Sequence, residues 1–583
     1  MSSTIKAHDE NSRSGIAIPT FVTSPLVILV IALVAVCLIL SLPLSVPIGP
    51  MYWDVYIYYD AANRIFSGQV PALDFFAPVG PLGYYLFAGW LSMFPNGQPA
   101  LMAHWSLLAV SAPLMALVIW DVGSRSRAIA LALLVPFLIF ALLPFNVREF
   151  YPFPGSDAFG VYNRQICQML YVLMAGIMFA RDRRLLTVVI TLVMTAMFFL
   201  KITGFVAGGI IAAYALLAGR VSLRSALVSS FAFVAILGAI ELTTGEVSVY
   251  IHDILLLVKM NSGTLVPRLL QSASLNFGIL APTGILALLL LWSDRQGLWK
   301  KAANGLGKRN IAEAASFLDS TALWLLVALF AGILFESQNT GSQALIFLWP
   351  VILTVLMQVG PLIARPALFV AIVGLAATVT IPSMVAVAEQ ATRAYVGAAK
   401  NIRMTSSNLK TLGNVSMRPE VATRVERMLK IYPEHQDFYN DMALAGELPA
   451  PMLYSDFDFQ IAYLTITDQA VEAIRKLEAA KGIRFETMGS LNFVNPFPWL
   501  MDRTAPLYVS IGADPLRTVP DASAREQEVM RSTDIVLYPT CPSTLANVML
   551  YDMYAASLSG HSRVKLTECY DAFINAKFAS ALQ

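Results

Sequence analysis

Residues 53–85 read WDVYIYYDAANRIFSGQVPALDFFAPVGPLGYY and directly follow the first long apolar run. The stretch carries three carboxylates, Asp54, Asp60 and Asp74, in a chain with only 13% charged residues. Asp54 falls almost at the membrane boundary, where an ionisable side chain is costly unless it has a function. From Asp54 to Phe66 the pattern is helical. Ile57, Ala61 and Ile65 share a stripe, and Asp60 and Arg64 form an i, i+4 pair. Gly68 ends the helix and Pro71 prevents its resumption. The pattern predicts an interfacial helix lying on a membrane, with an acid at its membrane-proximal end.

Composition sets the class around that stretch. The chain has 583 residues, 57% of them hydrophobic, and a soluble protein averages about 25% charged residues. Met1 to Thr20 is polar. The apolar run after it has no small-residue cleavage site, so it reads as a retained first span, about 21–46. Residues 47–100 follow as the first loop, with the short apolar run Leu82–Phe94 inside it. Further spans are expected at about 101–120, 127–145, 164–180, 185–200, 203–218, 225–243, 269–292, 320–336, 342–359 and 366–385, giving about eleven in all by the ~20 residues that a bilayer requires.

The basic residues orient these spans. Arg125 and Arg127, the Arg181–Arg184 cluster, Arg220 and Arg224, the cluster from Arg295 to Arg309, and Arg365 all fall on one side with the N-terminal tail. The positive-inside rule puts that side in the cytoplasm and the Asp54 loop outside. After Met384 the texture becomes mixed and charged. Residues 386–583 are expected to form an extracytoplasmic α/β domain, with a helix capped at Thr467 or Asp468 and ended by Gly482. A strand is expected over 483–487, a charged helix from Asp521, and a buried strand over 534–539. The fold class is therefore mainly α: a polytopic membrane helical bundle with a C-terminal α/β domain. Cys541 and Cys569 share the tail, where an oxidising compartment permits a disulfide. Cys37 and Cys167 read as packing residues.

The loop also resembles a known family. An acid, a run of aromatics, a Gly about fourteen residues on, then Pro71-x-x-Asp74-Phe75 and Gly80-Pro81-Leu82-x-Tyr84-Tyr85 is similar to the first extracytoplasmic loop of GT-C glycosyltransferases. Protein O-mannosyltransferases and the aminoarabinose and galacturonic acid transferases of lipid A belong to that group. The resemblance implies a sugar taken from a polyprenyl-phosphate carrier in the bacterial inner membrane. It implies transfer to a lipid, polysaccharide or protein acceptor of the envelope, and a catalytic acid at Asp54. Relatives that act on lipid A often carry an Arg three residues after the acid and a Lys before the Pro-Leu. Here those places are Ile57 and Val79, so donor contacts assigned to them do not carry over.

Sugar transfer needs a carboxylate that takes the acceptor's proton. Asp54 fits, with Asp60 second, and the other reading of Asp54 is a helix cap. Trp53, Tyr56, Tyr58 and Tyr59 could hold the sugar. Asp74 reads as a turn-former or loop anchor, and as a recurring family position it is also a candidate for binding the donor. Departure of the phosphate needs cations. Lys201, at the tip of a hairpin between 185–200 and 203–218, is the leading candidate, against simple snorkelling. Arg148 and Arg164 either bind phosphate or sugar or pair with Glu149 and Asp157. Lys259 and Arg268 flank another external segment. Asp456-Phe457-Asp458 matches a metal–nucleotide signature, but such sugars are cytoplasmic. No cofactor is expected, a divalent metal stays open, and no nucleic-acid partner is expected. Two other functions stay in view: a transporter or flippase of envelope glycolipids, and a non-catalytic envelope assembly protein.

Overall fold

The computed structural model of the protein describes residues 24–147, 154–307, 310–338, 345–447 and 457–582. The tail 1–20, Arg148, Glu149 and Asp456 lie outside them. The apolar runs become helices. The first are α1 (Pro25–Leu40), α2 (Asp54–Phe66), α3 (Leu82–Met93), α4 (Pro99–Trp105), α5 (Leu108–Gly123) and α6 (Arg127–Leu142). Next come α7 (Val161–Phe179), α8 (Arg183–Leu200), α9 (Ile202–Leu217), α10 (Leu223–Thr244), α11 (Glu246–Asn261), α12 (Leu265–Leu275) and α13 (Phe277–Ser293). The series continues with α14 (Arg295–Ala302), α15 (Ile311–Leu318), α16 (Thr321–Glu336), α17 (Trp349–Gln358) and α18 (Pro366–Gly397).

Several of the basic turns also supply the helix caps. Ser126 accepts from the Ile129 N–H, Asp182 from Arg184 and Leu185, and Ser222 from Ser225. Each satisfies a donor that the first helical turn leaves free. Every span expected from the sequence falls on a helix or a helix pair. Their lengths vary more than the apolar runs suggest. Among the described residues, four helices are long and apolar enough to cross a membrane, or six if two bent pairs count as one span each. Pro25–Leu40, Arg127–Leu142, Ile202–Leu217 and Ile346–Gln358 are apolar but shorter. The figure of about eleven is thus a count of apolar runs by the span-length rule, not of full-length helices.

Burial sorts the helices. α7 is buried almost all round, polar Asn163, Arg164, Gln165 and Gln168 included, and forms the centre. α10 buries only Ser229 and exposes Leu227, Phe231, Val234 and Leu242, as a lipid-facing helix would. α18 runs unbroken to Gly397, past the change in sequence texture at 385.

The C-terminal part adds α19 (Pro419–Glu434), α20 (Gln436–Ala445), α21 (Phe457–Lys481), α22 (Phe497–Met501), α23 (Ala524–Ser532) and α24 (Leu545–Leu558). Val46–Pro47 (β1), Ile402–Arg403 (β2) and Val415–Met417 (β3) form a three-stranded sheet in the order β1-β3-β2. Met488–Ser490 (β4), Ile535–Pro539 (β5), His561–Thr567 (β6) and Tyr570–Asn575 (β7) form a second sheet in the order β4-β5-β7-β6. Only β4–β5 is parallel within the second sheet. A disulfide joins Cys541 to Cys569; Cys37 and Cys167 are free.

Three local expectations change. Thr467 and Asp468 do not cap a helix, because α21 begins ten residues earlier and carries both in its interior. Thr467 is fully buried there, and Asp468 accepts the N–H groups of Ser407 and Asn408 at 3.1 and 2.7 Å. The strand starts at Met488 rather than 483, where pairing with β5 begins. The charged helix starts at Ala524, fixed by a Ser523–Glu526 capping box.

Candidate active site

α2 is buried within the protein rather than half-exposed: every residue from Val55 to Arg64 is buried. The C-terminal part roofs it. β1 pairs with β3 just before it. The Tyr52 N–H donates to Gln460, the Tyr52 hydroxyl to the Leu412 carbonyl at 3.0 Å, and Asn63 Nδ2 to the Arg503 carbonyl at 3.0 Å. Trp53 and Tyr56 pack on Tyr463, and Tyr59 on Trp499. Three of the four aromatics expected around the sugar therefore hold the roof in place.

Asp60 belongs to the same structural contact. Its Oδ1 accepts from Arg64 Nε at 2.8 Å, both side chains being nearly inaccessible. Arg64 also donates to Gln69 and to the Pro506 carbonyl, at 3.2 and 2.7 Å. Asp60→Asn would leave Arg64 buried without its counter-charge, which costs about 3 kcal/mol or more. We expect this variant to lose thermal stability in a melting scan while the folded fraction keeps its activity; a loss of activity at unchanged melting temperature would return Asp60 to the list of reacting groups.

Asp54 is placed differently. It is the first residue of α2, which has no side-chain cap bond. Its Oδ2 instead accepts the N–H of Gly160 at 3.3 Å, at the start of α7. Gly160 adopts φ +57°, a left-handed conformation that glycine takes without strain. Burial pushes the Asp54 carboxyl up to about 7. The Gly160 N–H works against this, the Asp157 charge adds to it, and the Arg517 charge pulls it back. Asp157 is itself pushed up to about 7 by burial, and it accepts from Asn146 and from the Phe159 N–H.

Lys201 ends α8 and precedes α9, so it stands at the hairpin tip. Its Nζ donates to Asn163 Oδ1 at 2.8 Å and lies 4.9 Å from the Tyr162 ring centroid. Gly80 brings the Asp54 loop to this tip. Its N–H donates to the Leu200 carbonyl at 3.0 Å, and a Cβ at position 80 would collide with the Phe199 carbonyl and the Tyr250 hydroxyl. The Gly-Pro-Leu signature therefore has a packing reason.

Asp54 and Lys201 line one cavity of about 500 Å³. Arg268 from α12 and Arg517 from the C-terminal part line it too, as do Asp253 and Glu336. Ile254, Leu257, Val258, Leu265 and Leu275 give α11 and α12 an apolar wall. A recess of about 80 Å³ adjoins the cavity at Asp54, lined by Tyr58, Tyr84 and Tyr162, and Arg517 borders both. The Arg517 loop is tethered by its ion pair to Asp514 at 2.8 Å and by Asn261, which donates to the Arg517 carbonyl at 3.1 Å.

Asp54, Lys201, Tyr58 and Arg268 thus come together. Arg164 does not join them: it donates to the carbonyls of Phe140, Leu143 and Phe145, closing the end of α6. Asp74 anchors its own loop, accepting the Val70 N–H at 2.7 Å, while its carbonyl accepts from Tyr508 at 2.6 Å. Lys259 does not line the cavity. Arg517, Asp253, Glu336 and Asp157 are the residues that sequence reading did not bring to the site. A Gly512-Ala-Asp-Pro515 turn signal marks the Arg517 loop, but nothing local marks where it docks. Among the described residues, no three His, Cys, Asp or Glu side chains stand together as metal ligands would.

No family model and no curated protein matches the chain. Two solved structures are similar to it. Over 94% of this chain and 97% of the other, it is 12% identical to ArnT from Cupriavidus metallidurans in the apo state, with a TM-score of 0.40. Over the same shares it is 14% identical to ArnT from Cupriavidus metallidurans bound to undecaprenyl phosphate, with a TM-score of 0.36.

Proposed function

We propose that the protein is an integral-membrane glycosyltransferase that moves a sugar from a polyprenyl-phosphate donor to an envelope acceptor. The observation that carries this reading is the cavity itself. An acid half-titrated near neutral pH and a hairpin-tip Lys meet in it, beside an apolar wall. The acid comes from the loop whose motif resembles that of GT-C enzymes. The apolar wall suits a prenyl chain, the cations Lys201, Arg268 and Arg517 suit its phosphate, and Tyr58 borders the recess next to the acid.

In the reaction, an acceptor hydroxyl attacks the anomeric carbon of the sugar. The bond from that carbon to the phosphate oxygen breaks, and polyprenyl phosphate leaves with the electron pair. Asp54 takes the hydroxyl proton, for which a carboxyl poised near the working pH is well suited. The cations stabilise the charge that develops on the departing phosphate. Asp60 and Arg164 have no part in these steps. The direct test is incubation of the purified protein with radiolabelled undecaprenyl-phosphate sugars and envelope extract. Label should move to the acceptor as undecaprenyl phosphate is released. An envelope of unchanged glycan composition in cells lacking the protein would speak for the assembly reading instead.

The reaction is assigned to the extracytoplasmic face, because the basic turns lie at the opposite ends of the helices from Asp54. A reporter active only outside the cytoplasm, fused after Gln583, is expected to be active. Activity of a cytoplasm-only reporter at the same point would overturn both the orientation and the supply of a polyprenyl-linked donor from outside.

A further inference from the structure

α11 turns a single stripe to the cavity: Tyr250, Asp253, Ile254, Leu257, Val258 and Asn261. That is the i, i+3, i+4, i+7, i+8, i+11 series of one helix face, and Asp253 is its only charged member. Asp253 is 7% exposed, and its Oδ2 has no hydrogen-bond partner among the described residues. A buried carboxylate oxygen left unpaired is costly, and this one faces a cavity from which a ligand can supply the missing donor. Its height along the helix is informative. Tyr250, one turn earlier, donates its hydroxyl to the Phe198 carbonyl at 3.0 Å and abuts Gly80. Asp253 therefore stands near the Lys201 hairpin, and the apolar residues Leu257 and Val258 lead from it to Asn261, which meets Arg268 and Arg517 at the other end of the stripe.

We infer that Asp253 accepts a hydrogen bond from a hydroxyl or ammonium group of the sugar on the donor, and that its charge makes the site reject sugars bearing a carboxylate. This rests on the reading of the cavity as a polyprenyl-phosphate-sugar site. Asp253 has a different task from Asp54: it contacts the group being moved and takes no proton from the acceptor.

The test uses the full chain in lipid nanodiscs, at a pH well above the value of about 7 to which burial pushes the Asp253 carboxyl, so that it carries its charge, and four probes. These are bare undecaprenyl phosphate and undecaprenyl phosphate carrying a neutral hexose, an amino sugar or a uronic acid. The wild type should bind the neutral or the amino donor more tightly than the bare carrier. It should bind the uronic donor at least about tenfold more weakly than the better of those two, because like charges face each other at low dielectric. Asp253→Asn should bind the bare carrier no more weakly than the wild type, since an anion is removed from beside a phosphate site, and lose most of that discrimination. The neutral and amino donors separate the two sources of the hydrogen bond: Asp253→Asn weakens the amino donor more if an ammonium is held, and both to a similar extent if a hydroxyl is. A uronic-to-neutral ratio unchanged in Asp253→Asn overturns the inference, and so does a wild type that favours the uronic donor. Equal weakening of bare carrier and sugar donors would make Asp253 a structural residue and also overturns it. Wild type that fails to bind bare undecaprenyl phosphate removes the lipid-phosphate reading, and this inference with it.

Discussion

Asp54→Asn is expected to lower sugar transfer by about 10²–10⁴-fold, the contribution of a positioned general base, in a protein that remains folded. The structure separates these two effects. Asp54 makes no cap bond to its own helix, and the oxygen that accepts the Gly160 N–H has a counterpart in the amide of Asn. Burial raises the carboxyl from its ordinary 3.8 to about 7, so the charged form costs the fold stability once the pH rises above the ordinary value. A neutral Asn is free of that cost, and the variant should melt no lower than the wild type at neutral pH. The same shift sets the pH dependence. The base works only when deprotonated, so kcat/KM of the wild type should climb as pH rises, reach half its limit near 7 and level off above. Removing the Arg517 charge, which holds this carboxyl down, should move the rising limb to higher pH. Near-normal turnover by Asp54→Asn, or a flat profile between pH 5 and 8, would take the proton-transfer role away from this residue.

Lys201→Met should be the next most damaging change. A hydrogen bond to a charged group contributes about 1.5–3 kcal/mol, so donor affinity should fall by about ten- to a hundredfold. Undecaprenyl phosphate without a sugar should lose as much, because the contact is to the phosphate. Lys201→Arg keeps the charge and should be milder, although a planar guanidinium cannot take over the seat above the Tyr162 ring and beside Asn163 without moving. A Lys that only snorkels would reach for water; this one lines the cavity and donates to Asn163. If Lys201→Met binds bare undecaprenyl phosphate as the wild type does, phosphate recognition belongs to Arg268 and Arg517 alone.

The parts of this molecule legible in its sequence are those fixed by local physics. α2 ends where Gly68 and Pro71 end it, the Asp60–Arg64 pair forms as the spacing requires, and Lys201 sits at a hairpin tip between two apolar runs. What failed depended on remote parts of the chain. Thr467 looks like a cap only if α21 begins there, and burial of the preceding turns against Tyr56 and Trp53 extends the helix backwards. Arg164 looked like a ligand because the α6 carbonyls that occupy it are twenty or so residues away. Amphipathic spacing in α2 suggested a half-exposed helix; its polar face is covered by a roof that no periodicity encodes. Arg517 and Asp253 reach the cavity only through tertiary packing.

The roof over α2 bears on the order of events during synthesis. Tyr52 and Gln460, which meet above the acid, are 408 residues apart. At about 5–20 residues per second a ribosome needs about 20–80 s to make the intervening chain. Through that interval the membrane helices can insert and the acid can stand at its helix end, but Arg517 is absent and the chamber has no lid. On the proposed function, a half-made chain would therefore be inert. On that function, catalytic competence would arrive in one step, when the last third of the protein settles on a helix made about a minute earlier.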